Sequence, residues 1–243
     1  MDTLRSALAA YRNGKFLRGA KLRSYDIFYK YIIGDLIEIN GQLMETSAHW
    51  PRPRSHLPGV WHEEPAFSTF LENVETGMSV VDLGAGSGWF TLNACDRVRP
   101  GGSVTAFEAD PDRVQSLKRN IQRNGYENAR IVQTRLDEDT PVADHCDDID
   151  FAIVDIEGHE LGAIRGLPGL RQRSKPMQIL CEVHPKELHG DSQQTLYSLL
   201  EENGFNIFYG EMGGSFGQNR DEVADNIHQI FARRHNTTDQ TYD

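Results

Sequence analysis

The heptapeptide Val154-Asp155-Ile156-Glu157-Gly158-His159-Glu160 sets three carboxylates and an imidazole directly behind the apolar run Phe151-Ala152-Ile153-Val154. A second group, Glu182-Val183-His184, closes another apolar run that begins near Met177. Carboxylates and imidazoles can take a proton from a hydroxyl, or help a cation to activate it. Asp155, Glu157 and His159 are therefore the candidate catalytic residues. Glu182 and His184 flank Val183, so on a strand both face one side. If the two strands are neighbours, Asp155, Glu182 and His184 make an oxygen-rich pocket suited to a divalent cation such as Mg2+. The competing expectation is structural: Glu157 and Glu160 offset the positive end of a following helix, and His184 hydrogen-bonds within the core.

A third constellation lies upstream, in Val80-Val81-Asp82-Leu83-Gly84-Ala85-Gly86-Ser87-Gly88-Trp89-Phe90. Glycines between a buried strand and a helix permit positive φ and let a ligand approach the backbone. Dinucleotide enzymes use G-x-G-x-x-G there, with the pyrophosphate on the helix N-terminus. Here the spacing is G-x-G-x-G, and Asp82 would repel a pyrophosphate. The same carboxylate suits a cofactor carrying an ammonium and a sulfonium. D-x-G-x-G-x-G is the pattern of class I methyltransferases, so the candidate cofactor is S-adenosylmethionine. Asp82, Gly84, Gly86, Ser87 and Gly88 are its expected loop. Glu108, closing the next strand, is placed for a bidentate bond to ribose hydroxyls. Arg135 and Leu136, after the third strand, fall where the adenine would sit, and Asp155 falls beside the sulfonium.

The elements that must position these groups read as alternating strands and helices from Glu63 onward. Short continuous apolar strands in successive β-α units imply a mostly parallel, doubly wound, Rossmann-like α/β sheet with helices on both faces. Seven strands are expected, the last two joined by a Gly-rich turn near Gly213-Gly214. Pro111 and Gly125 bound the helix between them as starting and ending residues should. Before this domain, assigned to 63–235, residues 1–62 read as a basic amphipathic helix, a β-hairpin around Asn40-Gly41, and a Pro-rich loop. In that loop Trp50, His56 and Trp61 are candidates either for an active-site lid or for packing on the core beneath, and Arg52, Arg54 and His56 are candidate cationic groups to position a carboxylate acceptor. Residues 236–243 read as a polar tail.

The 243 residues carry 36 acidic against 25 basic side chains, a formal net charge of −11. That balance opposes general nucleic-acid binding, which needs cationic surface to displace counterions. Positive charge concentrates in Arg5, Arg12, Lys15, Arg18, Lys21 and Arg23. Such a helix would either touch anionic lipid as a peripheral contact or pack on the acidic body of its own domain. No stretch has the length of a membrane span, no signal-peptide core opens the chain, and Cys95, Cys146 and Cys181 form no C-x-x-C pair. A cytoplasmic protein, free to form a homo-oligomer, is expected.

The stretches from Val80 to Leu92, Gly101 to Gly125, Asp150 to Leu167 and Ile179 to Pro185 together resemble the FkbM family of S-adenosylmethionine-dependent methyltransferases. The most specific of them is Asp155-Ile156-Glu157-Gly158-His159-Glu160, a match to D-[IV]-E-G-x-E. The resemblance implies O-methylation of a carbohydrate: a glycan, a glycolipid or a lipid-linked sugar, at a hydroxyl or a uronic-acid carboxylate. Many members carry Lys two residues before the motif's Asp, where this chain has Ile153. A polyketide-like hydroxyl is an alternative acceptor. A non-catalytic cofactor-binding module in a glycan-assembly complex is the alternative of another class.

Overall fold

The computed structural model describes residues 36–39, 41–45, 66–137, 140–172, 174–188, 193–211, 216–218 and 228–234. The basic N-terminal segment, the Pro-rich loop, the Gly213-Gly214 turn and the polar tail lie outside them.

A hairpin of β1 (Leu36–Ile39) and β2 (Gln42–Glu45) comes first, antiparallel, with Ile39 opposite Gln42 and Gly41 at φ 77°. Gly41 thus takes the turn conformation expected of it. Helix α1 (Ala66–Asn73) follows, and then the sheet: β3 (Ser79–Leu83), α2 (Trp89–Arg97), β4 (Ser103–Glu108), α3 (Pro111–Arg123), β5 (Ala129–Gln133), β6 (Phe151–Val154), α4 (Glu160–Arg165), β7 (Met177–Val183), α5 (Gln193–Glu202), β8 (Asn206–Glu211) and β9 (His228–Arg234). The spatial order is β5-β4-β3-β6-β7-β9-β8. The five strands from β5 to β7 run parallel, and β9 lies antiparallel between β7 and β8.

This order has a mechanical consequence. The chain winds outward from β3 through β4 to β5, then returns to lay β6 against the free side of β3. Where winding reverses, the loops after β3 and β6 diverge to opposite faces and leave a crevice at the strands' carboxyl ends. Asp82, Glu108, Arg135 and Asp155 all stand at or just past those ends.

Period-2 alternation divides the core into two layers. Val81, Leu83, Ala152 and Val154 pack with Leu161, Ile164, Leu196 and Tyr197 on one face. Val80, Phe151 and Ile153 pack with Phe70, Trp89, Leu92 and Phe231 on the other. All four residues of β6 are buried, which is why that strand reads as an unbroken apolar run. Asp82 alternates onto the second face, so it is a carboxylate inside an apolar layer.

Helix α3 begins as its sequence requires. The Asp110 side chain accepts from the N–H groups of Asp112 and Arg113, with Pro111 next in line. Such a cap stabilises by ~0.5–2 kcal/mol. From the same helix Asn120 donates to the Ser87 carbonyl at 2.8 Å and accepts from the Glu45 N–H at 2.6 Å. One buried amide therefore holds both the glycine loop and the N-terminal hairpin. Cys95, Cys146 and Cys181 are free thiols, and burial pushes Cys95 up to about 12, consistent with a packing role.

Candidate active site

The glycine loop passes directly over the start of the β6 loop. Gly84 has φ 91°, and a Cβ there would stand 1.9 Å from the Asp155 carbonyl oxygen. Only glycine fits. The crossing is held by backbone bonds from Gly84 N–H to the Phe107 carbonyl and from Asp155 N–H to the Leu83 carbonyl, at 3.0 and 2.9 Å.

Two adjoining cavities flank this crossing. The larger, about 320 Å³, is bordered by Glu108, Arg113, Leu136, Asp155 and His159 among others. The smaller, about 160 Å³, is bordered by Asp82, Gly86, Ser87, Phe90 and Asp155. Gly84, Arg113, Asp155 and Glu157 line both. Gly88 opens helix α2 at φ 102° beneath the loop.

Each carboxylate on the glycine-loop side has a local partner. Asp82, 3% exposed, accepts from the Thr91 hydroxyl at 2.5 Å. Burial raises it to about 6, Glu108 pushes it further, and the Thr91 bond opposes both. Glu108 accepts from the Gly86 N–H and the Asp110 N–H, each at 2.8 Å. Carboxylate oxygens have two lone pairs each, so acceptor capacity remains for ribose hydroxyls.

The β6–β7 side is different. Parallel pairing of β6 with β7 brings Asp155, Glu182 and His184 together, one donor atom of each lying within 4.8 Å of the others. Asp155 is open to the cleft, but the walls strip much of its hydration. That loss pushes its carboxyl up to about 7, with Glu182 and Glu157 adding to it and His184 opposing. His184 Nδ1 lies 2.6 Å from Oε1 of the fully buried Glu160, and Nε2 lies 3.4 Å from Glu182. Burial would pull the imidazolium down. The bonds to Glu160 and Glu182 outweigh it and carry it up to about 10.

Two expectations need correction. His159 Nε2 lies 2.9 Å from Arg135 Nη2. A guanidinium has only donors, so that nitrogen accepts, and its lone pair is already committed. His159 therefore does not offer Nε2 as a base in this arrangement. Nor does Glu157 cap α4. It is exposed with φ 45° and lines the cleft, while the following Glu160 takes the Gly158 N–H at 3.0 Å. The alternative expectation for His184, a hydrogen bond inside the core, is met by Glu160, alongside its place in the cluster.

As a metal centre the trio offers two carboxylates and one imidazole, a set compatible with a hard or borderline divalent cation. As it stands, both His184 nitrogens face carboxylates, and an imidazolium has no lone pair for a metal. A cation would have to replace the Nε2 proton. Arg113 and Ile156 border the cavities and were not singled out from sequence. An arginine in the first turn after a strand ending in Glu carries no motif of its own.

A mostly parallel sheet of this order, with a glycine loop crossing an acidic strand end, is the fold of class I methyltransferases. The comparisons agree: a family model described as a methyltransferase domain matches residues 74–204, and the chain belongs to that family. A protein-L-isoaspartate O-methyltransferase of Pyrococcus horikoshii is 32% identical over 62 residues, 26% of this chain and 27% of that relative. The chain thus spans about a quarter of that curated relative's length. A putative rRNA-methylase from Clostridium thermocellum has a similar structure, with TM-score 0.53 at 10% identity, over 70% of this chain and 93% of that one. A SAM dependent methyltransferase from Aquifex aeolicus gives TM-score 0.49 at 15% identity, over 70% and 89% respectively. Among the described residues no helix is long and apolar enough to cross a membrane.

Proposed function

We propose that this methyltransferase transfers its methyl group to an oxygen of a carbohydrate. The observation that supports this best is the position of Asp155, which borders both cavities and also belongs to the Asp155–Glu182–His184 cluster. In this reading the adenosine occupies the larger cavity, with its ribose on Glu108 and its adenine near Arg135 and Leu136. The methionine end occupies the smaller cavity, with Asp82, Gly84, Gly86, Ser87 and Gly88 around its charged groups. The sulfonium then faces Asp155, and the acceptor enters from the Glu157, Glu182 and His184 side.

The acceptor oxygen attacks the methyl carbon in line with the sulfur. The carbon–sulfur bond breaks with its electron pair retained by sulfur, leaving S-adenosylhomocysteine. A hydroxyl acceptor passes its proton to the Asp155 carboxylate, whose elevated pKa suits a base working near neutrality. A uronic-acid carboxylate is already ionised and gives an ester without a base. Holding the three atoms in line can lower the barrier by ~7–11 kcal/mol. The resemblance to FkbM proteins supports a sugar, and the net charge of −11 opposes the nucleic-acid acceptors that the rRNA-methylase's name suggests for that neighbour.

A second reading has a divalent cation between Asp155, Glu182 and His184, supported by the convergence of their donor atoms. Its charge beside the acceptor would help ionise a hydroxyl, and Asp155 would then be a ligand rather than a base.

The test is transfer of radiolabelled methyl from S-adenosylmethionine to neutral sugars, uronic acids and lipid-linked glycans, with chelator or with added Mg2+. Base-stable label is expected for an ether, and label released by mild base for an ester. Activity lost to chelator and restored by Mg2+ selects the second reading. Cofactor binding without label in any carbohydrate overturns the carbohydrate assignment. No cofactor binding overturns the methyl-transfer reading itself.

A further inference from the structure

We propose that Glu160 is a positioning residue for the acceptor side, tying the β6 loop to the β7 loop through Gly158 and His184; the inference rests on the methyl-transfer reading above. One oxygen of Glu160, Oε1, accepts from the Gly158 N–H at 3.0 Å and faces His184 Nδ1 at 2.6 Å. These two partners lie on the loops after β6 and β7; the first carries Asp155 and Glu157, and the second follows directly on Glu182 at the end of β7.

The loops are also in backbone contact. Gly158 has φ 97°, and a Cβ there would lie 2.1 Å from the Glu187 carbonyl oxygen. The His184 carbonyl in turn accepts from the N–H groups of Glu187 and Leu188. Glu157 itself is held at φ 45°, a conformation unfavourable for a residue with a Cβ. The Glu160 bond to the next N–H fixes that turn and so aims Glu157 into the cleft. Through His184 the same carboxylate steers Nε2 toward Glu182.

A purely structural role explains less. An acidic group in the first turn of α4 gains modestly from the helix dipole, and a surface carboxylate would gain as much. Glu160 is fully buried, and among the described residues its other oxygen has no hydrogen-bond partner. Desolvating a carboxylate costs more than the dipole returns, so the bonds to Gly158 and His184, and not the helix end, account for its place there.

Glu160→Gln keeps one oxygen that can accept both bonds, whereas Glu160→Leu keeps the bulk and removes them. With the acceptor found in the sugar panel, Glu160→Leu is expected to lower kcat about 100-fold, as for a site misplaced by about 1 Å. Glu160→Gln should retain kcat within about tenfold, and both variants should bind S-adenosylmethionine within about twofold of wild type. His184→Gln added to Glu160→Leu should cause little further loss, because both act through one contact. A folded Glu160→Leu with wild-type kcat overturns the proposal. Equal losses of cofactor affinity and kcat in both variants assign Glu160 to the fold instead.

Imidazole NMR keeps the proposal testable if Glu160→Leu does not fold or no acceptor is found. A protected, strongly downfield His184 Nδ1 proton is expected in wild type and shifted in Glu160→Gln; its absence in folded wild type overturns the proposal. If wild type binds no S-adenosylmethionine, the methyl-transfer reading fails while the NMR result still judges the contact.

Discussion

The two sides of the cleft treat carboxylates in opposite ways. Around the glycine loop, Asp82 and Glu108 each accept from neutral donors: the Thr91 hydroxyl for the first, the Gly86 and Asp110 N–H groups for the second. Around the β6 and β7 loops, Asp155, Glu157, Glu160 and Glu182 crowd together, and the imidazole of His184 lies against both Glu160 and Glu182. The first arrangement is preorganised and electrically quiet, as suits holding a cofactor. The second is crowded with like charge and poised to exchange a proton or take a cation, as suits an acceptor.

Substitutions should therefore separate the two sides. The largest effect is expected from Asp155→Asn with a hydroxyl acceptor, a fall in kcat of about 10²–10⁴-fold, the range of a general base. Cofactor affinity, measured by calorimetry, should change less than about tenfold. A variant with the reverse pattern would move Asp155 to the cofactor side.

Gly84→Ala comes next. Its methyl would collide with the Asp155 carbonyl, and φ 91° adds strain of about 1–2 kcal/mol. A loss of about 100-fold in cofactor affinity is expected, with the rate at saturating S-adenosylmethionine little changed. Near-normal affinity would show that the loop crossing yields easily.

Thr91→Val is the mildest and acts on Asp82 alone. Losing that hydroxyl removes the bond that lowers the Asp82 pKa, so less of the carboxylate is ionised near neutrality. About a threefold to tenfold weakening of S-adenosylmethionine binding is expected, the size of one hydrogen bond of roughly 0.5–1.5 kcal/mol. The sign for stability is fixed too. Asp82 holds its proton more tightly folded than unfolded. Its contribution is therefore fully present below the ordinary carboxylate pKa and is lost as pH rises through about 6. Thr91→Val should carry that loss to higher pH, measurable as Tm against pH.

The same contrast explains what the sequence made legible. The glycine loop, Asp82, Glu108 and the Pro111–Gly125 helix are local patterns whose partners lie within a few residues or one β-α unit. The buried parallel strands were legible as well, because unbroken apolar runs such as Phe151–Val154 occur where both faces are covered. What could not be read were contacts set by side-chain direction after the loops had formed. Arg135 and His159 sit on separate strand-end loops, and nothing in either segment says that one would occupy the other's lone pair. Glu160 was legible as a charge at a helix start but not as the partner of His184, since that depends on its rotamer beneath the loop. Arg113 belongs to no motif, and its place between the cavities follows only from the pitch of α3.

The pH dependence of the wild-type reaction with a hydroxyl acceptor tests the central claim most directly. If Asp155 takes the acceptor proton, kcat/KM should rise with pH through about 7 and level off above it. The profile for kcat should have a lower midpoint, because the bound sulfonium favours the ionised carboxylate. A rate unchanged from about pH 5 to 9, with S-adenosylmethionine saturating throughout, would contradict Asp155 as the proton acceptor.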